Sequence, residues 1–151
     1  MVITEKEIRF RRAKFDDLPI IQQIERLSFS TPYSTFYMRS LLNNADIYYV
    51  AEYEGKIVGY IIARKENNKL GHIISIAVHP DYRRIGLGTV LMKKAEDSLR
   101  NLGCYRVYLE VRVSNKPAIQ LYKKLGYIIV RTIPSYYSDG EDAFLMVKSL
   151  V

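Results

Sequence analysis

The sequence predicts an α/β domain whose core is a mixed β-sheet rather than a regularly alternating one. Three observations predict it. Apolar residues recur at period two in some short runs and at period 3.6 in others, the signatures of half-buried strands and amphipathic helices. Two of the strand-like runs flank Glu54-Gly55 and read as a hairpin, so consecutive strands pair directly and not only through crossover helices. Hydrophobic residues make up 48% of the 151 residues, enough for a real core in one domain spanning 1–151. No segment approaches the ~20 uninterrupted apolar residues of a membrane span.

In order along the chain, "IRFRRAKF" (8 to 15) alternates as a first strand. Asp16 or Asp17 is placed to cap a helix whose inward positions are Leu18, Ile21, Ile24 and Leu27. "STPYS" breaks that helix, and Ser34 caps a second one reaching Leu42. "DIYYVAEY" and "KIVGYIIAR" form the hairpin, Asn67-Asn68-Lys69 a turn, and "GHIISIAV" the next strand. A helix follows, with Leu87, Val90, Leu91, Ala95, Leu99 and Leu102 on one stripe and Gly103 as its stop. "YRVYLEVRV" (105 to 113) alternates, with Val107, Leu109, Val111 and Val113 on one face and Tyr108, Glu110 and Arg112 on the other. Ser114 or Asn115 caps a helix with Ala118, Leu121, Tyr122 and Leu125 inward and Gly126 after it. "YIIVRTI" and "DAFLMVKSL", joined by "PSYYSDGE", are the last strands. The order is β-α-α-β-β-β-α-β-α-β-β.

Composition narrows the partners. The formal net charge of +7 favours an anionic ligand without identifying one. Thirteen tyrosines in a basic chain could stack on single-stranded nucleic acid, but they are scattered through strands and helices, so specific nucleic-acid binding is not expected. Cys104 is alone, which excludes an intramolecular disulfide and a cysteine-based zinc site, and no metal is expected. The N-terminal run "MVITEKEIRFRRAKFDD" has charge but no apolar stretch, so it is not a secretory signal, and a cytoplasmic location is expected by default.

Five places carry chemistry. The stretch "HPDYRRIGLG" puts Arg-Arg-x-Gly-x-Gly at the joint between a strand and a helix. Bare amides and the positive end of a helix attract anions there, glycines let a ligand approach the backbone, and two arginines add charge. An ordinary turn is the plain alternative. A dinucleotide fingerprint would need a third glycine where Leu91 stands, and the Gly-Lys-Ser/Thr of a P-loop is absent. Glu110 is either a surface carboxylate paired with Arg112 or, if helices cover both faces of the sheet, a partly buried group whose burial needs a reason. His72 shares its strand face with Ile74, Ile76 and Val78 by simple alternation, and reads equally as a structural histidine or a base. Tyr122 fits a core position by spacing. Phe29, Pro32, Tyr33, Tyr136 and Tyr137 read first as loop aromatics and a turn.

These residues also resemble a known family. "RRIGLG" matches the Arg/Gln-x-x-Gly-x-Gly/Ala pyrophosphate loop of the GCN-related N-acetyltransferases (GNAT), and "LEVRVSNKPAIQLYKKLGY" matches their second signature, a strand followed by an Asn-capped helix. "YYSDGEDAFLM" is similar to the tail shared by protein N-terminal acetyltransferases of the NatA catalytic-subunit and RimI types. Together these cover roughly residues 70 to 147. The resemblance implies the GNAT fold: a mixed, mostly antiparallel sheet of six to seven strands, splayed between the fourth and fifth, with four flanking helices. It implies acetyl-coenzyme A as donor. The pyrophosphate would lie on Arg83, Arg84, Ile85, Gly86, Leu87, Gly88 and Thr89. The pantetheine would run between Ile76, Ala77, Val78 and the strand from Glu110 to Val113, with Asn115, Ala118, Tyr122 and Lys124 completing the coenzyme's site.

The same resemblance implies Glu110 and His72 as bases and Tyr122 as the group that protonates the leaving thiolate. It implies Phe29, Pro32, Tyr33, Tyr136 and Tyr137 as two walls around the N-terminus of a protein or peptide acceptor, with a ribosome or auxiliary subunit as further partners. The loop "FSTPYS" is closer to the RimI type, whereas His72 and the tail are closer to NatA, which leaves the first-residue preference open. Direct attack in a ternary complex is expected, with the carbonyl oxygen held by the backbone N–H of Ala77 or Val78. An α-amine with a pKa near 7.7 to 8 loses its proton for about 1 kcal/mol at pH 7, against about 4 to 5 kcal/mol for a lysine near 10.4, so a carboxylate base suits an α-amine. A lysine or small-amine acetyltransferase, or a non-catalytic coenzyme-binding module, remain the alternatives.

Overall fold

The computed structural model describes residues 7–151, with the side chain of Asn68 excepted. The first six residues of the run read as lacking a secretory signal lie outside it. Eleven helices and strands follow the expected order: β1 Ile8–Arg12, α1 Leu18–Ser28, α2 Thr35–Asn44, β2 Ile47–Tyr53, β3 Lys56–Lys65, β4 Leu70–Val78, α3 Leu87–Asn101, β5 Arg106–Arg112, α4 Lys116–Lys124, β6 Ile128–Ile133 and β7 Ala143–Ser149. The sheet runs β1-β2-β3-β4-β5-β7-β6, and every neighbouring pair is antiparallel except β4 with β5. The helices cover both faces. On one side, α3 and α4 close a core containing Ile61, Ile73, Leu91, Leu99, Val107 and Met146. On the other, α1 and α2 close a second core containing Ile21, Ile24, Met38, Tyr48, Tyr60 and Ile62.

Two expected helix ends are confirmed in detail. The Ser34 hydroxyl accepts from the Tyr37 amide, and the Asn115 side chain accepts from the Ala118 amide, each at a helix N-terminus. Elsewhere tertiary contacts override local reading. β1 stops at Arg12, three residues short of the expected end, because the Asp17 carboxylate takes the Lys14 amide (2.7 Å) and the Arg11 guanidinium (2.7 and 2.9 Å). Asp17 is therefore the residue before α1 without capping it by its side chain. The Arg11 guanidinium, acting first, and the Lys14 amide hold the Asp17 carboxyl below the ordinary range. Leu27 and Leu102, expected inside, are 51% and 40% exposed. α1 instead buries Gln22 and Glu25, so its inner face turns polar toward its C-terminus.

A bulge decides which way β4 points. Ile62 pairs with Ser75 but Ala63 pairs with Ile73, so Ile74 is an extra residue in the strand. His72 therefore shares its sheet face with Ile74, Ser75 and Ala77 on the α1 side, while Ile76 and Val78 pack on the α3 side. The simple alternation expected from His72 through Val78 fails at that residue.

Next to His72 the sheet meets α3 with no room for a side chain. A Cβ on Gly71 would stand 2.7 Å from Leu99 Cδ1, and Leu99 is fully buried. Gly71→Val is expected to lower the unfolding free energy by about 1–3 kcal/mol, the usual cost of overpacking a core. Urea denaturation checks this; an unchanged midpoint would contradict the close approach.

Candidate active site

The pairing of β4 with β5 is short. It joins Leu70 with Arg106, Gly71 with Val107 and His72 with Tyr108, and then stops. Both strands continue beyond it, to Val78 and to Arg112, so they part and leave a gap in the middle of the sheet. The gap opens into a cavity of about 470 Å³ lined by both strands, the α1–α2 loop, α4 and the β6–β7 loop.

Nine of the expected site residues meet there. Glu110, Tyr122, Asn115 and Ile76 line the cavity, and so do all five expected wall residues, Phe29, Pro32, Tyr33, Tyr136 and Tyr137. His72 does not line it. It stands behind Glu110, with Nε2 2.7 Å from Glu110 Oε1 and its ring stacked flat on Tyr108 (4.2 Å between centroids, 4° between planes). Tyr122 is buried, which pushes its hydroxyl up to about 12, and that hydroxyl has no hydrogen-bond partner among the described residues. Tyr136 is also pushed up to about 12, first by burial and then by the charge of Glu110. Ala77, Val78, Ala118 and Lys124 lie outside the cavity lining, Lys124 exposed on the last turn of α4.

The strand geometry separates Ala77 from Val78. The His79 amide donates to the Val58 carbonyl of β3 (2.8 Å), and amides alternate in direction along a strand, so the Ala77 amide also turns to β3. Val78 turns the other way: its carbonyl accepts from Arg83 Nε at 2.9 Å. Of the two, only the Val78 amide is directed into the gap.

At the Arg-Gly turn, Arg84 and Gly86 have φ of 65° and 84°, and a Cβ on Gly86 would meet nothing within 4 Å. Gly86 is the residue before α3, so the amides of Leu87, Gly88 and Thr89 lie in the first helical turn, where no intrahelical acceptor exists. Arg83 is engaged elsewhere. Besides Val78, it reaches Ser28 Oγ at 3.0 Å and ties the turn to the end of α1. Arg84 is exposed.

Two networks at the site escaped the sequence. Glu25, 2% exposed, lines the cavity floor. It accepts from the Tyr60 hydroxyl, from Ser75 Oγ (3.0 Å) and from the Tyr33 amide (3.0 Å), while Gln22 Nε2 donates to the Tyr33 carbonyl (2.8 Å). The Tyr33 peptide is thus fixed from both sides. Arg112, two residues beyond Glu110, donates to Asp139 (2.9 Å) and Glu141 (2.7 Å) in the β6–β7 loop and to Thr31 Oγ1 in the α1–α2 loop, with its guanidinium 4.1 Å from the Tyr137 ring centre. One side chain therefore ties both walls together. The available signal for Glu25 was its spacing from Ile21 on α1. For Arg112 it was its place beside Glu110 on an alternating strand.

A mixed seven-stranded sheet opened between its fourth and fifth strands, with a glycine turn at the mouth of the gap, is the architecture of an acyl-coenzyme-dependent transferase. The description "Acetyltransferase (GNAT) family" matches residues 18–127, and the chain belongs to that family of acetyltransferases. It is 42% identical to an N-alpha-acetyltransferase of Sulfurisphaera tokodaii, over 96% of this chain and 95% of that one. Ard1 from Thermoplasma volcanium superimposes with a TM-score of 0.92 at 29% identity, covering 96% of this chain and 99% of that one. A chain of the NatC complex bound to Gag peptide and CoA superimposes with a TM-score of 0.86 at 25% identity, covering 96% and 99%. No helix among the described residues is long and apolar enough to cross a membrane.

Proposed function

We propose that this chain acetylates the N-terminal α-amine of proteins in the cytoplasm, with acetyl-coenzyme A as donor, Glu110 as the base and the two aromatic loops as the acceptor slot. One observation carries the reading: a carboxylate, Glu110, faces a cavity walled on both sides by tyrosine-bearing loops. An N-terminus needs little more than this, since its amine gives up a proton for about 1 kcal/mol at neutral pH. The activities named for the relatives agree with it.

The chain's geometry fits coenzyme A. The open amides of residues 87 to 89, the unobstructed Gly86 and the exposed Arg84 offer an anion site at the mouth of the gap, and the unpaired edges of β4 and β5 offer a channel behind it. Arg83, held by Val78 and Ser28, shapes the turn and is not the first contact for phosphate. When bound, acetyl-coenzyme A supplies an acyl carbon activated as a thioester. Glu110 removes the proton of the attacking amine as the C–N bond forms and the C–S bond breaks. The Val78 amide polarises the carbonyl. Tyr122, whose burial keeps it protonated, holds the departing sulfur by a hydrogen bond. Its raised pKa makes it a donor to the thiolate more than a source of a fully transferred proton. The α1–α2 loop carries no carboxylate between Phe29 and Ser34, so the slot makes no charged contact to the first side chain from that stretch.

The test is acetylation of paired peptides: one with a free N-terminus and no lysine, the other N-terminally blocked with one internal lysine. Turnover of the first alone is expected. Turnover of the second alone would support a lysine acetyltransferase, and coenzyme binding without turnover of either would support a binding module.

A further inference from the structure

The cavity gives Glu110 a way to receive a proton but no evident way to lose it while an acceptor fills the slot. Behind Glu110 there is a second route. His72 Nε2 lies 2.7 Å from Glu110 Oε1, on the side away from the slot. The ring is held flat against Tyr108 at the last paired position before β4 and β5 part. Its other nitrogen, Nδ1, is fully buried and has no hydrogen-bond partner, and it stands 3.4 Å from Glu66 Oε1. Buried polar atoms are rarely left without partners, and one aimed at a carboxylate has a ready use. Glu66 follows the end of β3, steadied by Arg64 Nε at 3.3 Å, and its side chain is 31% exposed. His72 thus bridges Glu110, which lines the cavity, and Glu66, which is partly exposed.

We propose that Glu66 is the outlet of a proton path, Glu110 to His72 to Glu66 to water, and that it also fixes which ring nitrogen of His72 faces Glu110. The proposal rests on the reading of Glu110 as the base. The step balances without any other reactant. With Nδ1 carrying the ring's proton and Nε2 bare, the amine's proton passes to Glu110 and on to Nε2, the Nδ1 proton passes to Glu66 and then to water, and the ring returns to its Nδ1–H form before the next turnover. No bond other than N–H and O–H changes. The 3.4 Å separation is longer than a good hydrogen bond, and such contacts tighten when a site is loaded. The charged and titratable groups facing His72 are Arg64 and Glu66 from β3 and its end, and Tyr108 and Glu110 from β5, with Tyr136 beyond Glu110. Imidazole is suited to the middle position because it can accept at one nitrogen while donating at the other. Glu66 and His72 touch no substrate; they are positioning residues.

The full-length chain is assayed with an N-terminal peptide and acetyl-coenzyme A, comparing Glu66→Gln, Glu66→Ala, Glu66→Asp and Glu110→Gln. Glu66→Gln and Glu66→Ala are expected to lower kcat about tenfold, part of the ~10²–10⁴ that positioned proton transfer contributes. Both KM values and the melting temperature should stay near native. Glu66→Asp should retain most activity. Added formate, a small carboxylate that can enter the opening, should restore part of kcat in Glu66→Ala but not in Glu66→Gln. Native kcat in both variants, a loss confined to KM, or a loss that formate and aspartate do not relieve would overturn the path. If Glu110→Gln is inactive while the Glu66 variants behave as native, only the path falls. If Glu110→Gln is fully active, the base assignment falls first and takes the path with it.

Discussion

Glu110→Gln is expected to lower kcat by about 10²- to 10³-fold at pH 7, the range for loss of a positioned general base, with little change in either KM. The amide keeps the size of the side chain and can still meet His72, so packing around β5 should survive. What it cannot do is take a proton from the bound amine. The sign of the pH dependence follows from the acceptor. Below about pH 8 most of a free N-terminus is protonated and needs the base; above it the amine is already a nucleophile. The deficit should therefore shrink as pH rises from about 6.5 to about 9.5. Steady-state rates over that range check it. A variant within fivefold of native at pH 7 would remove Glu110 from the chemistry, and a deficit independent of pH would point to positioning.

How far this site could be read from the sequence depends on the range of the interaction. The hairpin at Glu54-Gly55, the caps at Ser34 and Asn115 and the order of elements are local, written within a few residues of one another. Glu110 stood out because strand alternation and motif agreed on it, whereas the tyrosine walls followed only from the family resemblance. The bulge at Ile74 was not, because nothing in "GHIISIAV" marks an extra residue; only pairing with β3 does, and it moved His72 to the other face from Ile76 and Val78. Glu25 was hidden for a similar reason. A glutamate on an amphipathic helix is ordinarily solvated, and it becomes a buried anchor here only because Tyr60 and Ser75, 35 and 50 residues away, supply its donors. The Arg83 guanidinium was assigned to a phosphate by motif, whereas contacts to Val78, five residues back, and to the distant Ser28 engage two of its nitrogens.

Arg112 sets the width of the slot, and Arg112→Met should show it as a binding defect. Methionine keeps the length of the side chain but gives up the bonds to Thr31 on one wall and to Asp139 and Glu141 on the other. A planar guanidinium satisfies all three at once, which lysine does not reproduce. Peptide KM is expected to rise about tenfold or more, in line with a misplaced positioning group, while coenzyme affinity changes little. The carboxyls give the pH test its sign. Asp139 is held below its ordinary range first by the Glu141 amide and then by Arg112, and Glu141 first by Ser114 and then by Arg112. A group whose folded pKa is depressed contributes above its unfolded value and loses that contribution as pH falls through the folded one. In the native protein, peptide affinity should therefore hold from neutral pH down to about 4 and weaken below. In Arg112→Met the two carboxylates face each other without a cation, so acid relieves their repulsion and affinity should improve as pH falls toward that value. Anisotropy of a labelled peptide in the presence of coenzyme A, from neutral pH down to about 4, distinguishes a flat native profile from a variant affinity that improves; parallel profiles would mean that Arg112 does not hold the two loops together.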